Sequence, residues 1–315
     1  FIGDKIGQRK EYRAMFAALK RLNIYQKEMY PIISRLLLGY LVFGEIYFII
    51  LLNHGIIDVK FGIQELVCGF TVFSFLFWLR IADDFKDYEL DCRLFKERPL
   101  PSGRVTKKDL GIFITILIAI TLALNFIYMN NFLFCVLLYT YGSFMAVWFF
   151  QKHKIAKSLP LALVTHNPVQ IFINLYIVSF TVIKYQLPFF DLTNMLALLT
   201  LYFPALIWEV SRKIKAPEEE TEYVTYSKLF GYKKAVNFVF IVTWIDIFTN
   251  FVLVWNLNKW SVLALLLNVL WCSWKFVEFK KNPTKYKIVT KVEMYTYIQE
   301  SLMILTIILY IIMHR

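Results

Sequence analysis

Long apolar blocks, interrupted by short polar and basic stretches, run from residue 30 to the end of the chain. Blocks such as Leu36–Leu52 and Leu302–Met313 carry at most one charge. A helix of about 20 apolar residues crosses the roughly 30 Å hydrocarbon core of a bilayer and satisfies its own backbone hydrogen bonds there. The pattern predicts nine spans: Tyr30–Leu52, Ile63–Ala82, Asp109–Met129, Phe132–Phe150, Leu159–Ile183, Leu192–Ile214, Lys234–Trp255, Trp260–Phe279 and Tyr295–Met313. No stretch between them is long enough to fold as a soluble domain. The expected architecture is therefore all-α: a polytopic membrane protein with nine transmembrane helices in one bundle, residues 30–315 forming a single domain behind a polar segment, 1–29.

Composition agrees with this reading. Of 315 residues, 58% are hydrophobic and 18% aromatic, and the mean hydropathy is +0.54, whereas a soluble domain is about 45–50% apolar. The net charge of +12 raises nucleic acid as a partner. The basic residues fall between the apolar blocks, however, and no compact basic domain exists, so nucleic acid is excluded and the bilayer is the expected partner.

The same charges predict orientation. Lys5, Arg9, Lys10, Arg13, Lys20, Arg21 and Lys27 precede the first span, and further basic clusters lie at 86–108, 152–157, 212–234 and 275–291. In a nine-span path all of these share one face, while the other face carries only Lys60, Lys184, Lys259 and Arg315. The positive-inside rule then places the N-terminus in the cytoplasm and the C-terminus across the membrane. The first 29 residues are too polar for a secretory signal peptide, and because the chain begins at Phe1 rather than Met, residues ahead of it are expected. Cys68, Cys92, Cys135 and Cys272 are widely separated, so neither a disulfide framework nor a zinc knuckle is indicated.

Two segments on the cytoplasmic face are long and acidic. The first, Arg80-Ile-Ala-Asp83-Asp84-Phe-Lys-Asp87-Tyr-Glu-Leu-Asp91, follows the second span. If that span continues as a helix, Asp84, Asp87 and Asp91 form a stripe with Asp83 beside it. Carboxylates so spaced repel one another unless a cation joins them, and a hard, oxygen-liganded divalent ion such as Mg2+ suits them best. The second segment, after the sixth span, contains Glu218, Glu219, Glu220 and Glu222 behind Pro217, which suits the start of a helix. A charge run between spans is ordinarily a solvated loop, and that reading stands beside the metal reading, most strongly for the glutamates.

The stretch from Asp83 to Asp91 resembles the N-D-x-x-D-x-x-x-D motif of the UbiA superfamily of intramembrane prenyltransferases, with Asp83 in the Asn position. Beyond it, Arg98-Pro-Leu-Pro-Ser-Gly-Arg104 resembles that family's R-P-L-P-S-G-R segment. Thr225 and Gly231 match a later threonine–glycine pair, but glutamates replace the aspartates that ordinarily precede it, as in a divergent branch. The resemblance implies nine helices with an active-site cap on the cytoplasmic side, a prenyl diphosphate substrate and Mg2+ as cofactor. It implies catalytic roles for Asp84, Asp87 and Asp91, and metal binding by Asp83, Asp84, Asp87, Asp91, Glu218 and Glu222. Arg98 and Arg104 are the first choices for the diphosphate because a guanidinium fork matches phosphate oxygens. Lys154 and Lys213 are further candidates.

Such an enzyme would ionise the prenyl diphosphate and transfer the prenyl group to an aromatic, quinone-precursor or lipid acceptor. A terpene cyclase using the same site without an acceptor is the alternative. A transporter is a third reading, drawing on the intramembrane carboxylates Glu45, Asp246 and Glu300. Within the fifth span, Thr165, His166, Asn167, Gln170 and Asn174 surround Pro168 and suit either an acceptor pocket or hydrogen bonding between helices.

Overall fold

The computed structural model describes the backbone of residues 2–314 and the side chains of residues 15–314. The side chains of Lys5, Arg9, Lys10, Arg13 and Arg315, which entered the charge count, lie outside that range. The described residues form helices and turns and include no strand. The chain is a multi-pass integral membrane protein: among the described residues, eight helical stretches are long and apolar enough to cross a bilayer.

Packing divides the chain into two compact units, Phe1–Phe43 with Phe61–Val147, and Gly44–Lys60 with Trp148–Arg315. The first unit contains α1 (Ile2–Met29), the start of α2 (Ile32–Asn53), α3 (Ile63–Lys86), the short α4 (Tyr88–Leu94), α5 (Lys107–Tyr128) and α6 (Phe132–Ala146). Helix α3 is its centre and packs on α5 and α6. Small residues permit close approach of membrane helices, where lipid offers no hydrophobic drive for association. A side chain at Gly39 of α2 would meet the Cβ and backbone of Phe73 at 2.8–2.9 Å, and one at Gly142 of α6 would meet the Trp78 ring at 2.4 Å. Buried hydroxyls add hydrogen bonds across the same contacts: Ser74 of α3 lies 2.7 Å from Thr121 of α5 and 3.1 Å from Tyr139 of α6.

The N-terminal segment is a helix that docks on this unit. Tyr25 and Tyr30 are buried beside Phe73 and Phe77, with Tyr30 stacked on Phe77 at 4.2 Å. Arg21 forks onto Asp109 at 2.7 and 2.8 Å, tying α1 to the first turn of α5. Asp109 also belongs to a capping box with Thr106, which satisfies backbone donors that begin α5.

The second unit holds the end of α2 and the helices α7 (Lys152–Ile155), α8 (Leu159–His166), α9 (Val169–Tyr185), α10 (Leu192–Ala197), α11 (Tyr202–Ser211), α12 (Tyr226–Phe230), α13 (Tyr232–Trp255), α14 (Lys259–Lys281) and α15 (Ile288–His314). Helices α13, α14 and α15 pack on one another, and α11 packs on α13 and α15.

Three predicted spans differ in detail. The fourth ends at Ala146, because Trp148, Phe149 and Phe150 take left-handed φ values of 55°, 48° and 56°. Its 15 residues rise about 22 Å, less than the hydrocarbon core. The fifth is interrupted at Asn167–Pro168, where proline lacks the N–H that helix continuity uses. The sixth is interrupted at Leu201, whose φ is 59°.

Candidate active site

The first acidic segment follows its predicted helical course with one adjustment. Helix α3 ends at Lys86 and α4 begins at Tyr88, with Asp87 between them at φ −99°, ψ 9°. Backbone bonds still run from Asp87 to Asp83 and from Asp91 to Asp87, each 2.9 Å, so the helical rise continues. The turn at Asp87 nevertheless separates the expected stripe. Asp84 and Asp91 are buried at 5% and 6% exposure, whereas Asp83 and Asp87 face outward.

Each of the two buried carboxylates has partners from the chain itself. Asp84 accepts the Tyr25 hydroxyl at 2.5 Å and pairs with Arg80, one helical turn earlier, at 2.8 Å. Asp91 pairs with Arg98 at 2.8 Å. The chain itself supplies cations beside these two carboxylates. Burial, and after it the Asp84 carboxylate, push the Tyr25 phenol well above its ordinary pKa, which keeps it a donor at physiological pH.

The Arg98–Arg104 segment is a compact turn. Val105 N–H bonds to Pro99 C=O at 3.0 Å, Ser102 N–H to Arg98 C=O at 3.0 Å, and Gly103 supplies a φ of 76° that other residues adopt at a cost. This fold sends its two arginines to different places. Arg98 lies over the Phe95 ring at 3.8 Å and reaches Asp91. Arg104 forks onto Glu28 of α1 at 2.5 and 2.8 Å and reaches the Glu97 carbonyl at 2.6 Å. Their hydrogen bonds draw Glu28 below the ordinary carboxylate pKa and push Arg104 up. Arg98 is brought beside the aspartates; Arg104 is engaged with α1.

Tyr25, Met29, Asp84, Asp91, Arg98 and Leu100 line a cleft in this unit too narrow for a water molecule. The oxygen donors around it suit a hard divalent cation, and each carboxylate oxygen offers two lone-pair positions. Among the described residues, no three His, Cys, Asp or Glu side chains stand close enough together to ligate one ion. Asp84 and Asp91 are engaged in ion pairs, and Asp83 and Asp87 are exposed beside them.

In the second unit, Pro217–Glu219 is a single 3-10 turn rather than the start of a longer helix. Glu218, Glu219 and Glu222 are exposed. Glu220 is the organising residue, accepting from Thr225 at 2.7 Å and from Ser227 at 2.5 Å. Lys213 pairs with Glu209 at 2.7 Å, and Lys154 is exposed on α7. Asn174 donates to the carbonyls of Leu198 and Thr200 at 2.9 and 2.5 Å, fastening α9 to the break between α10 and α11. His166 Nδ1 lies 3.0 Å from the Thr165 hydroxyl, with its ring 5.2 Å from that of Trp148.

A model described as the UbiA prenyltransferase family matches residues 36–296, a range that includes both acidic segments and the Arg98–Arg104 turn. The chain belongs to the UbiA prenyltransferase family. A solved structure described as digeranylgeranylglyceryl phosphate synthase in membranes shares its fold, with a TM-score of 0.61 at 16% identity, covering 93% of this chain and 99% of that one. No curated protein matches the chain. Tyr25 and Glu28 lie ahead of the range that matches the UbiA family, so α1 adds contacts to the motif residues from outside it.

The motif spacing singles out Asp83, Asp84, Asp87, Asp91, Arg98 and Arg104, and the fold brings Asp84, Asp91 and Arg98 to one cleft. Sequence reasoning missed Arg80 and Tyr25. Arg80 was legible as the basic residue four positions before Asp84; Tyr25 acts from 59 residues away and left no local signal.

Proposed function

We propose that this protein is a magnesium-dependent prenyltransferase that ionises a prenyl diphosphate at the aspartate cluster and passes the prenyl group to an aromatic, quinone-precursor or lipid acceptor. The observation that carries the reading is the pair of buried carboxylates, Asp84 and Asp91, held beside Arg98 at the end of a membrane helix. Membership of the UbiA prenyltransferase family supports it.

In this reading Asp83, Asp84, Asp87 and Asp91 hold the metal. Bound Mg2+ would supply charge neutralisation for the diphosphate leaving group. Arg98 exchanges its Asp91 partner for phosphate oxygens. Arg80 and Tyr25 keep the Asp84 carboxylate oriented. The apolar helices exclude water that would otherwise quench an allylic cation, and aromatic ring faces stabilise its charge. The basic loops support a cytoplasmic orientation for this end of the bundle.

Incubating membranes with a labelled prenyl diphosphate, with and without an aromatic acceptor, tests the assignment. Turnover that requires the acceptor is expected. A cyclic hydrocarbon or alcohol released without acceptor would instead establish the cyclase alternative, and no consumption of prenyl diphosphate under either condition contradicts the proposal.

A further inference from the structure

The second unit brings together three carboxyl groups that the aspartate cluster does not use. Glu45 on α2, Asp246 on α13 and Glu300 on α15 stand 12 to 14 residues beyond the first residue of their helices, about 20 Å along each. Glu45 and Glu300 are hydrogen-bonded to each other. Asp246 accepts from Tyr295 at 3.1 Å and from Asn250 at 3.3 Å, and the Gln299 amide reaches both Asp246 and Glu300. Among the described residues, no lysine, arginine or histidine pairs with any of the three. The remaining titratable neighbours, Tyr295 and Cys272, are neutral when protonated.

Two ionised carboxylates are acceptors only and cannot hydrogen-bond to one another. Contact between Glu45 and Glu300 therefore requires a proton. A second observation points the same way. Gln299 is 1% exposed with its Oε1 unpartnered, and the buried Oε2 of Glu300 is unpartnered as well. Two orphan acceptors in an acidic cluster at membrane depth call for a hydrogen-bearing or cationic occupant.

We propose that Glu45, Asp246 and Glu300 form a second site, distinct from the aspartate cluster, that binds a hydrogen ion shared between the Glu45 and Glu300 carboxyls deep in the membrane. The bound ion converts one acceptor into a donor, so that the pair bonds internally and buries one charge fewer. Gln299 and Tyr295 orient the group around it. The site needs no substrate and is independent of the prenyl transfer assignment.

Infrared spectroscopy of the full chain in lipid nanodiscs at neutral pH tests this. A protonated-carboxyl C=O band that shifts in heavy water is expected, and it should move or vanish in Glu45→Gln and in Glu300→Gln. Because a neutral amide mimics a neutral acid, both variants should melt near the wild-type temperature. Should either fail to fold, carboxyl-13C glutamate in the wild-type chain gives the same information, and the band should shift. No protonated-carboxyl band in the wild type, a band unmoved by both variants or by the labelled glutamate, or a band abolished by adding sodium ions would overturn the proposal. The last result would assign the site to a metal cation.

Discussion

Tyr25 donates a 2.5 Å hydrogen bond to Asp84 across 59 residues of sequence, joining the N-terminal helix to the first aspartate motif. Tyr25 is 1% exposed and Asp84 5%, so neither finds a substitute partner in water when the other is removed. Tyr25→Phe should cost about 1.5–3 kcal/mol of stability, the range for a hydrogen bond to a charged group. Denaturation of wild type and variant in the same detergent measures it, and an unchanged melting temperature would mean the bond contributes nothing net.

Arg98 is the one diphosphate candidate that the fold sets against a buried aspartate. Replacing it with alanine should raise the prenyl diphosphate KM about ten- to a hundred-fold, corresponding to loss of one or two charge-assisted contacts. Arg104→Ala should act mainly on stability, since Arg104 is committed to Glu28 and the Glu97 carbonyl. Comparing KM and melting temperature for the two variants separates these roles; a larger KM effect from Arg104→Ala would reverse the assignment.

The Glu28–Arg104 pair also predicts a pH dependence. Glu28 is drawn below its ordinary pKa, mainly by the Arg104 hydrogen bond. Its contribution is therefore present above the unfolded value of about 4.3 and is lost as pH falls through the lowered folded value. The melting-temperature difference between wild type and Glu28→Gln should be measurable at pH 7 and vanish at strongly acidic pH. The pair is exposed, so the difference should be small. A difference that grows on acidification would contradict the sign.

In the glutamate segment, Glu220 binds Thr225 and Ser227 while Glu218 and Glu222 project outward. Glu218→Gln should therefore reduce turnover less than Asp84→Ala or Asp87→Ala does. Equal loss would show that the glutamates matter as much as the aspartates. Glu220→Gln should loosen the segment, which limited proteolysis between residues 215 and 230 would detect.

Close helix packing gives a prediction independent of function. A methyl group at Gly39 would meet the backbone of Phe73 within 3.0 Å, leaving no flexible side chain to move aside. Gly39→Ala should destabilise the first unit by about 1–3 kcal/mol, as overpacking does. An unaffected melting temperature would mean that α2 shifts freely on α3.

Much of this was legible in sequence because apolar length and carboxylate spacing are local properties. The helix boundaries of α3, α5, α13 and α14 fall within a few residues of the predicted spans. What escaped depends on distant contact or local backbone strain. The left-handed run at Trp148–Phe150 has no glycine to signal it, so the apolar pattern runs past the end of the helix there. Arg80 and Arg98 turn a repelling row of aspartates into two ion pairs, and only coordinates show which arginine meets which carboxylate. Glu45, Asp246 and Glu300 were each visible as charges in apolar blocks, but their meeting requires three helices to be placed.

The central claim is that the aspartates at the end of α3 bind Mg2+ and release diphosphate from a prenyl substrate. Its most direct test is Mg2+-dependent diphosphate release by purified wild type, Asp84→Ala and Asp87→Ala, each shown to be folded in detergent. The account predicts release by the wild type only when Mg2+ is present, and none by either variant. Wild-type release without divalent ions, or undiminished release by a folded variant, would contradict it.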